Sequence, residues 1–101
     1  MVDDCIFCKI IAGDIPSSKV YEDEEVLAFL DISQVTPGHT LVVPKKHARN
    51  LLEMDETATA QLFARVSKVA KKVEAATQAK GMNIISNMEE VSGQTVFHTH
   101  V

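Results

Sequence analysis

Hydrophobic positions recur along this chain with two different periods, and the change from one to the other marks its elements. Over residues 55–79 the apolar side chains of Leu62, Val66, Val69, Val73 and Ala76 return every three or four positions. That spacing places them on one buried face of a helix. Lys68, Lys71, Lys72 and Glu74 fall mostly on the wet face, and Gly81 is the expected stop. A shorter helix is predicted over residues 4–12, capped by Asp3 or Asp4 and ended by Gly13 and Pro16. Residues 20–22 and 26–30 read as strands around the acidic turn Asp23-Glu24-Glu25, which lacks the Asn-Gly signal of a tight hairpin. Pro37-Gly38 then turns the chain into residues 39–44, an apolar β-branched strand closed by Pro44. Residues 82–86 and 96–101 are predicted to add two more strands. The expected fold class is α+β: an antiparallel sheet of about five strands, one long helix and a short N-terminal helix.

Composition narrows the classes of function. With 101 residues, 46% hydrophobic and 24% charged, residues 1–101 are expected to form a single domain with one modest core. A net charge of −4 argues against a nucleic-acid partner but leaves room for a small phosphorylated ligand in a local pocket. No apolar run reaches the roughly 18 residues of a membrane span, so no membrane partner is expected. Met1-Val2-Asp3-Asp4 is acidic where a secretory leader would be basic, which points to a cytoplasmic address. The last predicted strand runs to Val101 with no turn after it and nothing to shield its edge. The domain is therefore expected to continue past Val101, its C-terminal part missing here.

The chemistry sits at the two ends. In Phe97-His98-Thr99-His100-Val101 an extended backbone puts His98 and His100 on the same face. Their Cα atoms should lie roughly 6.6 Å apart, given about 3.3 Å of rise per residue. Cys5-Ile6-Phe7-Cys8 sets two thiols three residues apart, a spacing used in redox chemistry or for zinc. A redox motif would follow a strand and open a longer helix, and no strand is predicted ahead of Cys5. Zinc would need two further ligands, and the spacing does not choose among His39, His47, His98 and His100. Two reduced thiols packed among Ile6, Phe7, Ile10 and Ile11 explain the motif equally well.

Several segments together resemble the histidine triad (HIT) nucleotide-binding family. They are Cys5-Ile-Phe-Cys-Lys-Ile-Ile11, Val26-Leu-Ala-Phe-Leu-Asp-Ile32, Pro37-Gly-His-Thr-Leu-Val-Val-Pro-Lys-Lys-His47, Gly81-Met-Asn-Ile-Ile-Ser-Asn87 and Gly93-Gln-Thr-Val-Phe-His-Thr-His100. They follow one another in the family's order across nearly the whole chain. The resemblance implies a purine nucleotide-binding hydrolase, cleaving phosphoramidate or phosphoanhydride bonds at the α-phosphate of an AMP-type ligand. His100 matches the family's nucleophile, which forms a covalent nucleotidyl-histidine that water then hydrolyses. An ordinary imidazole has a pKa of about 6.5 and is largely neutral at pH 7, as attack on phosphorus requires.

The backbone carbonyl of His98 is implied to hold one ring nitrogen of His100. Gly93, Gln94 and Thr95 match the loop that cradles the α-phosphate, where backbone N–H groups and a hydroxyl meet growing charge. Asp31 matches the acid that binds the ribose hydroxyls, Phe7, Ile10 and Ile32 the lining of the base pocket, and Asn87 a phosphate-side contact. Zinc-containing members of the family imply a closed structural zinc site at Cys5, Cys8, His47 and His98. A homodimer joined through the sheets is implied as well.

Two departures stand out. The family's pattern H-x-H-x-H runs one histidine further than this sequence, which leaves open the H-x-H-x-Q pattern of related nucleotidyltransferases. Glu89 stands where the family usually has glycine, either repelling phosphate or pointing outward. The alternative to a hydrolase is a catalytically weak or inactive nucleotide-binding, zinc-stabilised module.

Overall fold

The computed structural model describes residues 4–31 and 38–101. Its sheet is built from β1 (Lys19–Glu22), β2 (Val26–Leu30) and β3 (Thr40–Pro44), in that order and antiparallel throughout. β2 lies in the middle and sends alternate side chains to opposite faces. Leu27 and Phe29 join Val43 against the short helix α1 (Ile6–Ala12). Val26 and Ala28 join Val42 against Leu62, Val66 and Val69 of the long helix α2 (Glu56–Thr77). The result is a sheet with a helix on each face, and β2 reads as a continuous apolar run because both of its faces are covered.

The β1–β2 hairpin closes without Asn-Gly because Asp23 does the work of the turn. Its Oδ1 accepts the N–H groups of Glu25 and Val26 at 2.8 and 2.9 Å, and its own N–H donates to the Val26 carbonyl at 3.0 Å. Tyr21 and Arg65 donate to its other oxygen at 2.6 and 2.9 Å, tying the hairpin to α2.

Both helices start or stop where local hydrogen bonds decide, not where propensity alone pointed. α1 begins at Ile6 because the Cys5 side chain, not Asp3 or Asp4, caps it by accepting the Cys8 N–H. Asp4 is exposed, and Asp3 lies outside the described residues. Gly13 ends the helix as expected, in the left-handed conformation (φ 86°). α2 is capped by Asp55, whose Oδ1 accepts the Ala58 N–H at 2.7 Å. It ends at Thr77 because Gln78 turns left-handed (φ 57°), three residues before the predicted stop at Gly81. Ala76, predicted to be buried, is exposed in that last turn.

The expected sheet of about five strands is corrected to three among the described residues. Over residues 82–86 the Ser86 hydroxyl donates to the His100 carbonyl at 2.8 Å, but Met82, Ile84 and Ile85 are exposed and no ladder forms. Residues 98–101 do lie along the edge of β3 that β2 leaves open. Val42 exchanges both of its backbone hydrogen bonds with Val101 at 3.0 Å, and Thr99 donates its N–H to the Ala48 carbonyl at 2.7 Å. One reciprocal pair is a contact, whereas a strand needs successive rungs. Among the described residues no helix is long and apolar enough to cross a membrane.

Candidate functional site

The edge segment ending at His100 carries the site. Alternation holds along it: the rings of both His98 and His100 meet Phe7 of α1, at centroid distances of 5.9 and 5.1 Å. Val101 packs instead with the α2-side core. The two histidines thus share a face, as an extended backbone requires.

His98 is fully buried, and its two ring nitrogens have different work. Nε2 lies 2.8 Å from the Pro44 carbonyl, which can only accept, so Nε2 carries the proton and Nδ1 is bare. Nδ1 faces Cys5 Sγ at 3.4 Å, Cys8 Sγ at 3.5 Å and His47 Nδ1 at 3.0 Å. Cys8 Sγ also meets His47 Nδ1 at 3.4 Å. Burial, aided by the neighbouring His47 and His100, pushes the His98 pKa down to about 4 against the opposing pull of the Pro44 carbonyl. The ring is neutral near pH 7. Burial also pushes the Cys5 thiol up, partly offset by the Cys8 N–H that it accepts. One donor atom from each of Cys5, Cys8, His47 and His98 falls within 4.8 Å of all the others, a set able to hold a metal ion. The ambiguity that spacing left among four histidines is settled geometrically: His47 and His98 join the cysteines, and His39 and His100 do not.

His100 is half-buried. Its Nδ1 donates to the His98 carbonyl at 2.8 Å, which leaves Nε2 as a bare lone pair. Chemically this orients the ring as a nucleophile or base.

The phosphate-loop candidates are arranged less simply. Gly93 adopts φ 106°, a conformation that favours glycine, and a Cβ there would sit 3.5 Å from the Asn87 amide. Asn87 and Gly93 are thus side by side. Gln94 is buried and its side chain is fully engaged. Nε2 donates to the Arg49 and Val96 carbonyls at 2.5 and 3.0 Å, and Oε1 accepts from Asn50 Nδ2 and the Glu89 N–H at 3.1 and 2.7 Å. Thr95 is exposed and lines an open cavity of about 540 Å³ with Cys5, His47, Arg49 and Phe97, which His100 does not border. Asp31 lies 3.6 Å from the His39 imidazole. Phe7 and Ile10 are core residues, 6% and 5% exposed. Ile32 and Pro37 lie outside the described residues.

Sequence reasoning missed the knot around Glu89, whose only signal was acid in place of the family's glycine. The carboxylate, 46% exposed, does not stand unpaired: Arg49 clamps it with Nε and Nη2 at 2.7 and 2.9 Å, and Asn50 donates at 2.7 Å. Those two partners hold its carboxyl below the usual range.

A family model described as "HIT domain" matches residues 12–101. The chain belongs to the HIT family. It superposes on the crystal structure of SMU.412c from Streptococcus mutans with a TM-score of 0.97 and 67% identity, covering 99% of this chain and 64% of that one. "Protein hit" of Bacillus subtilis is 56% identical over 99 residues, 98% of this chain and 68% of its own length. "Adenylylsulfatase HINT3" of Arabidopsis thaliana is 36% identical over 99 residues, 98% of this chain and 50% of its own. The chain therefore spans half to about two thirds of the length of these HIT relatives.

Proposed function

We propose that this HIT domain hydrolyses phosphoramidate or phosphoanhydride bonds at the α-phosphate of a purine nucleotide through a covalent intermediate on His100. The observation that carries the reading is the 2.8 Å hydrogen bond from His100 Nδ1 to the His98 carbonyl. It places the ring proton of the neutral tautomer on Nδ1, which turns the Nε2 lone pair toward the phosphorus it would attack. The N–P bond forms as the bond to the leaving group breaks, and the leaving group departs with that electron pair and takes a proton from solvent. Water then attacks the phosphorus and gives up one proton to solvent, and the N–P bond breaks with its electron pair returning to Nε2, so that the imidazole is neutral again. Asp31 is suited to the ribose hydroxyls. Gly93 and Asn87 stand together on the phosphate side, with the Thr95 hydroxyl exposed nearby in sequence. Phe7, Ile10 and Ile32 would contribute apolar surface to the base. An adenylylsulfatase among the relatives supports an adenylyl group as the substrate's constant part.

Zinc fits the Cys5, Cys8, His47 and His98 set. Tetrahedral zinc, with Zn–S of about 2.3 Å and Zn–N of about 2.0 Å, sets ligand atoms roughly 3.3 to 3.8 Å apart. Three sulfur–nitrogen separations of 3.4 to 3.5 Å match, and the His47 and His98 nitrogens at 3.0 Å sit slightly closer. The set as a whole spreads to 4.8 Å, so bound zinc would draw its widest pair together, with the Pro44 carbonyl supplying the outer hydrogen bond that aims His98. With four protein ligands such an ion would be structural, fastening α1 to the edge segment that bears His100. We further read the protein as cytoplasmic and as a homodimer, the latter supported by Met82 and Ile84 lining an open groove beside Phe63 and Val66 of α2.

A second reading, a nucleotide-binding module with little turnover, is favoured by the inward-tied Gln94 and by Thr95 lining a cavity that His100 does not border. AMP release from adenosine phosphoramidate separates the two. The hydrolase reading expects steady release by wild type and a loss of at least 10³-fold on His100→Ala, about the contribution of a nucleophile. Equal rates for the two proteins would refute it, and tight AMP binding without turnover would establish the module.

A further inference from the structure

We propose that Glu89 is a positioning residue, a latch that holds the Gly93–Thr95 loop in register with the His47–Asn50 segment. The proposal rests on the hydrolase reading for its functional consequence. Glu89 has φ 74° and ψ 159°, a backbone region that residues with a Cβ rarely occupy. Such a conformation persists only where the surroundings over-determine it, and here they do.

Every polar group of the residue is used. Its carboxylate takes the forked Arg49 guanidinium and the Asn50 amide, and its N–H donates to Gln94 Oε1. Its carbonyl accepts from the Ser92 N–H and hydroxyl and from the Gln94 N–H, at 3.1, 2.9 and 3.2 Å. Gln94 closes the ring by donating to the Arg49 carbonyl, while the Arg49 guanidinium lies 4.1 Å over the Phe97 ring. The two chain segments so joined are the one that starts at His47 and the one that ends at His98 and His100. Glycine at position 89 would relieve the backbone but remove the latch. Glutamate accepts the strain and, with its charge spent on Arg49, does not oppose a phosphate.

The test compares Glu89→Ala, Arg49→Ala, the double variant and Glu89→Gln with wild type. It reads metal content, amide exchange, AMP affinity and turnover of adenosine phosphoramidate at a temperature where all are folded. Each single alanine variant should keep its metal and exchange the Ser92, Gly93 and Gln94 amides at least about tenfold faster, with β2 and β3 unchanged. Each should lose about tenfold in kcat with a smaller change in KM, and the double variant should be no worse than either single one. Glu89→Gln, which keeps an acceptor oxygen for Arg49, should recover part of the loss. Unchanged exchange in residues 92–94, additive losses, or unchanged kcat with faster exchange would overturn the proposal. If wild type itself shows no turnover, the hydrolase reading fails on its own. The latch is then judged by AMP affinity, expected to weaken about tenfold in the alanine variants and overturned if it does not.

Discussion

His100 and His98 divide the work of two similar side chains through their hydrogen-bond partners alone. The Pro44 carbonyl turns His98 Nδ1 toward the thiols, and the His98 carbonyl turns His100 Nε2 outward. Neither assignment could be read from an H-x-H pair, because both depend on carbonyls supplied by the fold. Gly93 offers a sharper test at this scale. A methyl group there would meet only ordinary contact from Asn87, so the cost of Gly93→Ala is the backbone at φ 106°. We expect a loss of about 1–2 kcal/mol in thermal or urea unfolding and weaker AMP binding. Wild-type stability and affinity would show that the conformation at Gly93 does not matter. The resemblance of the sequence to HIT proteins named these residues, while the engagement of Gln94 and the capture of Glu89 were not legible. Both arise from groups that meet across 39 to 45 positions of sequence.

Among the elements, those with a strong local signal were the ones the sequence disclosed. α2 followed its three- and four-residue apolar spacing, and Gly13 ended α1 as its freedom at positive φ predicts. The fourth and fifth strands were not disclosed correctly, because an extended apolar run says nothing about whether a partner edge is there to pair with it. The β1–β2 hairpin depends on one half-buried acid, Asp23. Burial pushes the Asp23 carboxyl up, but hydrogen bonds from Tyr21, Arg65 and the backbone of Glu25 and Val26 outweigh it and hold the group well below the usual carboxylate range. Because the folded pKa lies below the unfolded value of about 3.9, the stabilisation is complete above that pH and is lost as pH falls toward the folded value. Asp23→Ala should cost about 1–3 kcal/mol near pH 7, from the lost hydrogen bonds of Tyr21, Arg65 and the turn backbone, and less at strongly acid pH. A variant equally stable with wild type at pH 7, measured by urea unfolding, would remove Asp23 from the account of the turn.

For the whole molecule, the Cys5, Cys8, His47 and His98 cluster links α1, the chain beyond β3 and the edge segment. The purified protein should hold one zinc ion per chain, and His47→Ala or Cys8→Ala should lose it. Chelation should lower Tm by more than about 10 °C, because in a domain of this size each 1 kcal/mol is worth about 4–8 °C. Stoichiometric protein without metal, at unchanged Tm, would return the thiols to a plain core role. The exposed apolar side chains of Met82, Ile84 and Phe63 lead us to expect a dimer by sedimentation, weakened by Ile84→Asp. A monomer at high concentration would contradict that. The central claim is the covalent chemistry of His100, and rapid quenching of turnover followed by intact-mass and peptide measurement tests it most directly. The account predicts one nucleotidyl group per active chain, carried on His100 and labile in acid. Turnover with no adduct at any quench time, or an adduct on another residue, would contradict it.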